Sequence, residues 1–238
     1  MEVKHRGSFT TEENYKGIPI HAAKGVHEKV KHILANQLTN GEKVADVGAG
    51  HGALSLRLHD AGFEVIAFDF DNSDWPIKEI PCYFCDVNQS MEGIKEKGPY
   101  TAICAIEIIE HLESPKGFLR NLIEMNRGNN TLFVISTPNP LDTFSSISLF
   151  TRGIFNWFSP QHYVGGGHIS ILPHWMILEH LRSLKITEVE VVFCAPYTHP
   201  NTMKRLMYNA VSVLRKLLAR TKDTRFFDGQ TALLYFRA

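Results

Sequence analysis

Val44-Ala45-Asp46-Val47-Gly48-Ala49-Gly50-His51-Gly52 carries an apolar strand straight into three glycines, each one residue apart from the next. No other stretch limits the fold so much. Glycine supplies the backbone angles a tight turn needs and removes side chains that would hold a ligand away. The spacing therefore predicts a strand, a binding turn and a helix that starts at Ala53.

The rest of the chain repeats that alternation. Ala22, Val26, Val30, Ile33, Leu34 and Leu38 recur at helical intervals before the first strand. Strands are expected over 43–47, 63–68, 81–85, 100–106 and 131–136, separated by helices over 53–60 and 115–125 and a short helix around Trp75. Such alternation predicts an α/β fold built from parallel βαβ units. Further on come a helix over 172–184, a strand over 187–194, a helix over 203–218 and a last strand over 231–236. The 203–218 helix puts Met203, Leu206, Met207, Ala210, Val211, Leu214, Leu217 and Leu218 on one face. Lys204, Arg205, Arg215, Lys216 and Arg220 decorate its other face, read first as a solvated outer surface and second as a peripheral membrane contact.

At 238 residues the chain suits one domain, 1–238, with a helical N-terminal extension over 1–40. Residues 139–167 break the pattern. They hold Phe144, Phe150, Phe155, Trp157, Phe158 and Tyr163 and end in Gly165-Gly166-Gly167, as a lid or a small satellite core would. Basic and acidic residues number 25 each, so the overall field does not draw the chain toward nucleic acid. Four cysteines without an apolar leader argue against a disulfide framework and place the chain in the cytoplasm. The Cys82-x-x-Cys85 pair lacks the second pair that a zinc site would need. No apolar run reaches the roughly 18 residues of a membrane span.

The glycines alone do not choose a ligand, because Gly48-x-Gly50-x-x-Ala53 also fits the dinucleotide fingerprint, with Asp69 about twenty residues on. The acids decide. Asp46 stands two residues before the first glycine, where a carboxylate repels a pyrophosphate but suits the cationic methionine end of S-adenosylmethionine. Asp69 closes the second strand, where it can accept from ribose hydroxyls, and Asp86 follows the third at the height of an adenine amino group. Phe70, Asp71 and Val87 flank the same crevice.

On these residues the chain resembles the class I methyltransferases over about 43–238, with Asp46, Gly48, Gly50, Gly52, Asp69 and Asp86 matching their cofactor motifs. The resemblance implies a seven-stranded, Rossmann-like, doubly wound sheet, mostly parallel with a reversed last strand and helices on both faces. An NAD-dependent oxidoreductase and a non-catalytic cofactor-binding regulatory subunit are the rival readings.

Glu107-Ile108-Ile109-Glu110-His111 follows the fourth strand at its carboxyl end, where ligands bind in open α/β sheets. In a helical or turn-like segment Glu107, Glu110 and His111 share a face, so that they and the later His168 are candidate ligands for a divalent cation. Three roles stay open: a metal site, a metal-free histidine base at His111 or His168, and a structural turn. The cluster, with Ser136-Thr137-Pro138-Asn139 and Gly167-His168, resembles the ubiquinone-pathway O-methyltransferases and the small-RNA 2′-O-methyltransferases. That resemblance implies a magnesium-like ion on Glu107, Glu110, His111 and His168 and a hydroxyl as acceptor. Ile169-Ser170-Ile171 departs from the polar, aromatic run of the RNA group, which favours a small hydroxylated, aromatic or apolar metabolite over an RNA end.

Overall fold

The computed structural model describes residues 14–198 and 201–238; positions 1–13 of the expected N-terminal extension lie outside them. A short antiparallel hairpin, β1 (Asn14–Tyr15) and β2 (Ile18–Pro19), leads into helix α1 (Val26–Gln37). Strand β3 (Lys43–Val47), helix α2 (Ala53–Asp60), strand β4 (Glu64–Asp69), strand β5 (Cys82–Phe84), helix α3 (Glu92–Lys97) and strand β6 (Ala102–Ala105) follow. Helix α4 (Pro115–Glu124) returns the chain to strand β7 (Leu132–Pro138). Beyond it lie helices α5 (Thr143–Arg152), α6 (Pro160–Gly166) and α7 (His174–Ser183), strand β8 (Glu190–Pro196), helix α8 (Thr202–Leu218) and strand β9 (Gly229–Arg237).

Seven strands form one sheet in the order β5-β4-β3-β6-β7-β9-β8. From β5 through β7 neighbours are parallel, and β9 runs antiparallel to both β7 and β8. This is the mostly parallel sheet with a reversed last strand that the sequence predicts. Alternate residues feed separate cores. Ala45, Val47, Phe133, Ile135 and Leu234 pack with α4 and α7 on one face, and Val44, Leu132, Val134 and Leu233 pack with α1 and α2 on the other. Strands covered on both faces read as continuous apolar runs, as these do. The order reverses between β3 and β6, which opens a crevice beyond their carboxyl ends.

Half of the helix starts carry side-chain caps. Ser114 accepts from the Gly117 N–H ahead of Pro115, Asp142 accepts from the Ser145 N–H at 2.9 Å, and Asn201 accepts from the Lys204 N–H at 3.1 Å. Four elements differ from the sequence reading. The segment around Trp75 is not helical: Asp71 holds Ser73 in a side-chain turn, and the Trp75 indole donates to the Ile77 and Ile80 carbonyls. That local bonding competes with helix formation. Helix α3 was not foreseen, and the aromatic segment 139–167 contains two helices of its own. Helix α8 sits with its apolar face outward, reversing the expected orientation.

Candidate functional site

The glycine turn lies at the crevice. Gly48, Gly50 and Gly52 take φ values of +75°, +54° and +88°, in the left-handed region where a β-carbon is strained. The Gly48 and Ala49 N–H groups donate to the Phe68 carbonyl at 2.8 and 3.1 Å, tying the turn to β4. At Gly50 an added β-carbon would meet nothing within 4 Å, so this glycine borders open space. Asp69, at the end of β4, accepts from the Gly50 N–H at 2.7 Å and the Asp71 N–H at 3.0 Å. It braces the turn as well as lining it.

Asp46 is buried and accepts from the Ser55 hydroxyl at 2.6 Å. Burial pushes its pKa up to about 6 and the nearby Asp69 charge adds to this, while the Ser55 hydrogen bond pulls the other way. Glu107 lines the same pocket. Its backbone takes φ +52°, its N–H donates to the Ser136 hydroxyl at 3.0 Å, and its carboxylate accepts from that hydroxyl at 2.7 Å. Burial raises the Glu107 pKa to about 7.

Asp86 lies beyond β5, the neighbour of β4, but its carboxylate is engaged by its own turn, accepting from the Asn88 N–H at 3.0 Å and the Gln89 amide at 2.8 Å. Phe70 is exposed beside Asp69, Asp71 accepts from Ser73, and Val87 packs against the core.

Three pocket residues escaped the sequence reading. His21, His27 and His51 line it together with Asp46 and Glu107, with His21 Nε2 and His51 Nδ1 3.1 Å apart. His27 is buried, its Nδ1 has no hydrogen-bond partner, and burial drives its pKa down to about 3. The signal was present, since His27 falls between Val26 and Val30 on the buried side of α1. An imidazole within an apolar stripe reads as core.

The second cluster is built just after β6. Glu110 and His111 belong to a short 3-10 turn, Ile109–His111, after β6, and His168 follows α6. The structure brings Glu110, His111 and His168 together, with one ligand atom from each within 4.8 Å of the others. Glu107 is not part of that group; its left-handed backbone and its bond to Ser136 turn it to the pocket with Asp46. Glu110 is fully buried and neither carboxylate oxygen has a hydrogen bond of standard geometry; the Thr137 hydroxyl partly stabilises its charge, and the imidazole Nε2 of His111 lies 3.9 Å away. Burial, then the Glu107 charge, raises its pKa well above the usual range.

The aromatic segment completes this cluster. His168 Nδ1 lies 2.8 Å from the Trp157 carbonyl oxygen. A carbonyl only accepts, so Nδ1 carries the proton and Nε2 keeps the lone pair. Burial and the neighbouring His111 lower the His168 pKa to about 4. The His111 and His168 rings meet edge-to-face with centroids 4.8 Å apart. Gly167, at φ +70°, passes so close to His111 that a β-carbon there would sit 3.2 Å from Nδ1.

The strand order, the reversed last strand and the glycine turn at the crevice define the class I S-adenosylmethionine-dependent methyltransferases. The chain belongs to the methyltransferase-domain family, whose model matches residues 21–186. It is 27% identical over 128 residues to the ubiquinone biosynthesis O-methyltransferase of Xanthomonas campestris pv. campestris (strain B100), covering 51% of this chain and 52% of that one. The chain thus spans about half the length of the curated relatives it matches. Among solved structures, a SAM-dependent methyltransferase from Archaeoglobus fulgidus superposes with a TM-score of 0.60 at 17% identity, over 89% of this chain and 94% of the other. The methyltransferase domain of bacterial CtHen1-CN gives 0.54 at 19% identity, over 89% and 97%. At these identities the two structures establish the fold.

Proposed function

We propose that this chain transfers the methyl group of S-adenosylmethionine to a hydroxyl oxygen of a small aromatic or apolar acceptor held at Glu110, His111 and His168. The observation that carries the reading is Glu110: a fully buried carboxylate whose two oxygens lack hydrogen bonds of standard geometry, with two imidazoles beside it. A buried carboxylate so poorly partnered is costly unless a cation satisfies it. The curated relatives are named as O-methyltransferases, which supports oxygen as the acceptor atom. Exposed Ile169 and Ile171 beyond His168 suit an apolar acceptor better than a polyanionic one.

The residues present fit both groups that the reading requires. For the cofactor, Gly50 offers bare backbone facing open space, Asp46 and Glu107 face the ammonium end, and Asp69 stands where a ribose would lie. Asp86 can join them only by sharing oxygens that its own turn already uses. For a divalent cation such as magnesium, Glu110, His111 and His168 supply one oxygen and two nitrogens. When bound, the cofactor supplies a methyl activated on a sulfonium and the cation acidifies a coordinated hydroxyl.

The chain's own part is positioning and proton handling. Trp157 fixes the His168 tautomer, leaving Nε2 to bind a cation or to accept the acceptor's proton. The 139–167 segment, by delivering Trp157, Phe158 and His168 together, would cover the acceptor as a lid. The four cysteines are free thiols, which suits work in the reducing cytoplasm.

The test is a labelled-methyl assay with isotopic S-adenosylmethionine and a panel of hydroxylated aromatic acceptors, run with chelator and with added magnesium. The expected product is a methyl ether whose formation stops with chelator and returns with magnesium. Chelator-resistant O-methylation that is lost with His168→Gln would make His168 a metal-free base, and transfer only to nitrogen would overturn the oxygen reading. Calorimetric binding of NAD in place of S-adenosylmethionine would overturn the cofactor.

A further inference from the structure

Helix α8 is amphipathic in the opposite sense from a surface helix. Its polar side faces the protein: Ser212 donates to Asp228 at 2.6 Å, Lys216 pairs with Asp228, and Tyr208 is buried with its hydroxyl 3.4 Å from the Phe227 carbonyl. Arg215 reaches the Thr143 hydroxyl at 3.3 Å and the Leu141 carbonyl at 3.2 Å, with its guanidinium 4.2 Å over the Phe227 ring. On the other side Met203, Leu206, Met207, Leu214, Leu217 and Leu218 are exposed, Leu217 by 77% and Met203 by 65%. At 100° per residue these six fall within one apolar stripe that points straight away from the body of the protein. On α5, which Arg215 ties to α8, Leu149 and Phe150 are exposed as well.

A continuous apolar helix face in water marks a surface that something covers. Charge decides what. Lys204 is exposed beside the stripe, Arg220 and Lys222 are exposed just past the end of the helix, and no Asp or Glu occurs between Glu190 and Asp223. A chain with zero net charge has thus gathered one sign here. A second copy docked through this stripe would bring the same cations face to face, which opposes self-association. An anionic lipid surface satisfies both halves, since apolar side chains sink to the headgroup boundary while the flanking cations meet lipid phosphates.

We infer that α8 is a docking helix that lies flat on an anionic bilayer, with Met203, Leu206, Leu214 and Leu217 inserted and Lys204, Arg220 and Lys222 on the headgroups. It does not span the membrane: no helix among the described residues is long and apolar enough to cross one. The inference stands apart from the acceptor chemistry, because no residue of the glycine turn or of the Glu110 cluster takes part.

The experiment is flotation of the full chain with phosphatidylcholine vesicles, with and without phosphatidylserine. Binding is expected only to the phosphatidylserine vesicles and should weaken as salt rises. Each cation near an anionic surface is worth about fivefold in partition, so the Lys204→Glu and Arg220→Glu pair should cost at least roughly 25-fold. Leu214→Glu with Leu217→Glu should abolish binding. Both pairs are at exposed positions, and unchanged circular dichroism and cofactor affinity would establish that they fold. The inference is overturned if wild type ignores both vesicles, if it binds neutral vesicles equally, or if the leucine pair still binds. A dimer that Leu217→Glu dissociates, with no vesicle binding, would give the face to a second copy instead.

Discussion

His168 Nδ1 and the carbonyl oxygen of Trp157 lie 2.8 Å apart, and Trp157 holds that carbonyl in place from a left-handed backbone at φ +70°. A bulky residue in that region is strained, and such strain persists where the surrounding structure enforces it. The aromatic segment therefore orients a histidine of the candidate cation site from eleven residues upstream. Trp157→Gly keeps the carbonyl but frees the backbone. Loss of a partner that orients a metal-ligating histidine costs about 10- to 100-fold in metal affinity. The expected result is weaker magnesium binding in that range by calorimetry with S-adenosylmethionine affinity nearly unchanged; an equal loss of both would mean the segment supports the whole fold.

Glu110→Gln makes a sharper demand. Burial and the Glu107 charge raise the Glu110 pKa, so the folded protein binds its proton more tightly than the unfolded chain does. The sign follows directly: ionising this group costs stability as pH climbs above the ordinary glutamate range, and the neutral amide removes that cost. Glu110→Gln should melt higher than wild type at neutral pH without metal, yet gain nothing from added magnesium. A variant that magnesium still stabilises would take Glu110 out of the cation site.

Much of this geometry was open to a reader of the sequence. The glycine turn, Asp46 and Asp69 were legible because backbone chemistry at a strand-to-helix turn is local. Glu110 and His111 were legible because they follow β6 directly, and His168 only as the histidine after the triple glycine that a family resemblance pointed to. Glu107 was misgrouped, since its orientation depends on a left-handed backbone and on Ser136, 29 residues away on β7. The reversed seating of α8 depended on Asp228 and Phe227, which the helix period does not mention. Asp86 matches a cofactor motif by position, but only the turn around it reveals how its oxygens are used.

Asp46 links cofactor affinity to pH. Its folded-state pKa of about 6 exceeds the ordinary aspartate value of 3.8, so ionisation removes stability as pH rises from about 4 to 6. Two units correspond to about 3 kcal/mol, an order-of-magnitude figure. S-adenosylmethionine should bind more tightly across the same rise, because the carboxylate that meets its ammonium is then charged. Asp46→Asn should flatten both profiles, stabilise the free protein at pH 7 and weaken cofactor binding by about tenfold, the loss of one charge-assisted hydrogen bond. Calorimetry at several pH values is the check, and an unchanged affinity profile would remove Asp46 from the ammonium site.

His27 offers the converse case. Burial lowers its pKa to about 3, so the folded state excludes its proton and stability is lost as pH falls from about 6.5 toward 3. His27 lines the same pocket as Asp46, and its unpartnered Nδ1 would suit the methionine carboxylate. His27→Phe should hold its stability in acid better than wild type. It should also bind S-adenosylhomocysteine several-fold less tightly while binding the analogue without a carboxylate as before; equal losses for both ligands would give His27 a packing role only.

Gly48 is a glycine for a reason outside its own turn: the Ile108 side chain occupies the space where its β-carbon would be. Ile108 belongs to the segment that carries Glu107 toward one ligand and Glu110 toward the other. The two halves of the site therefore share a hinge pin rather than a wall. Through Ile108 the glycine turn and the footing of Glu110 press on each other directly, so a substitution on either side is felt on the other.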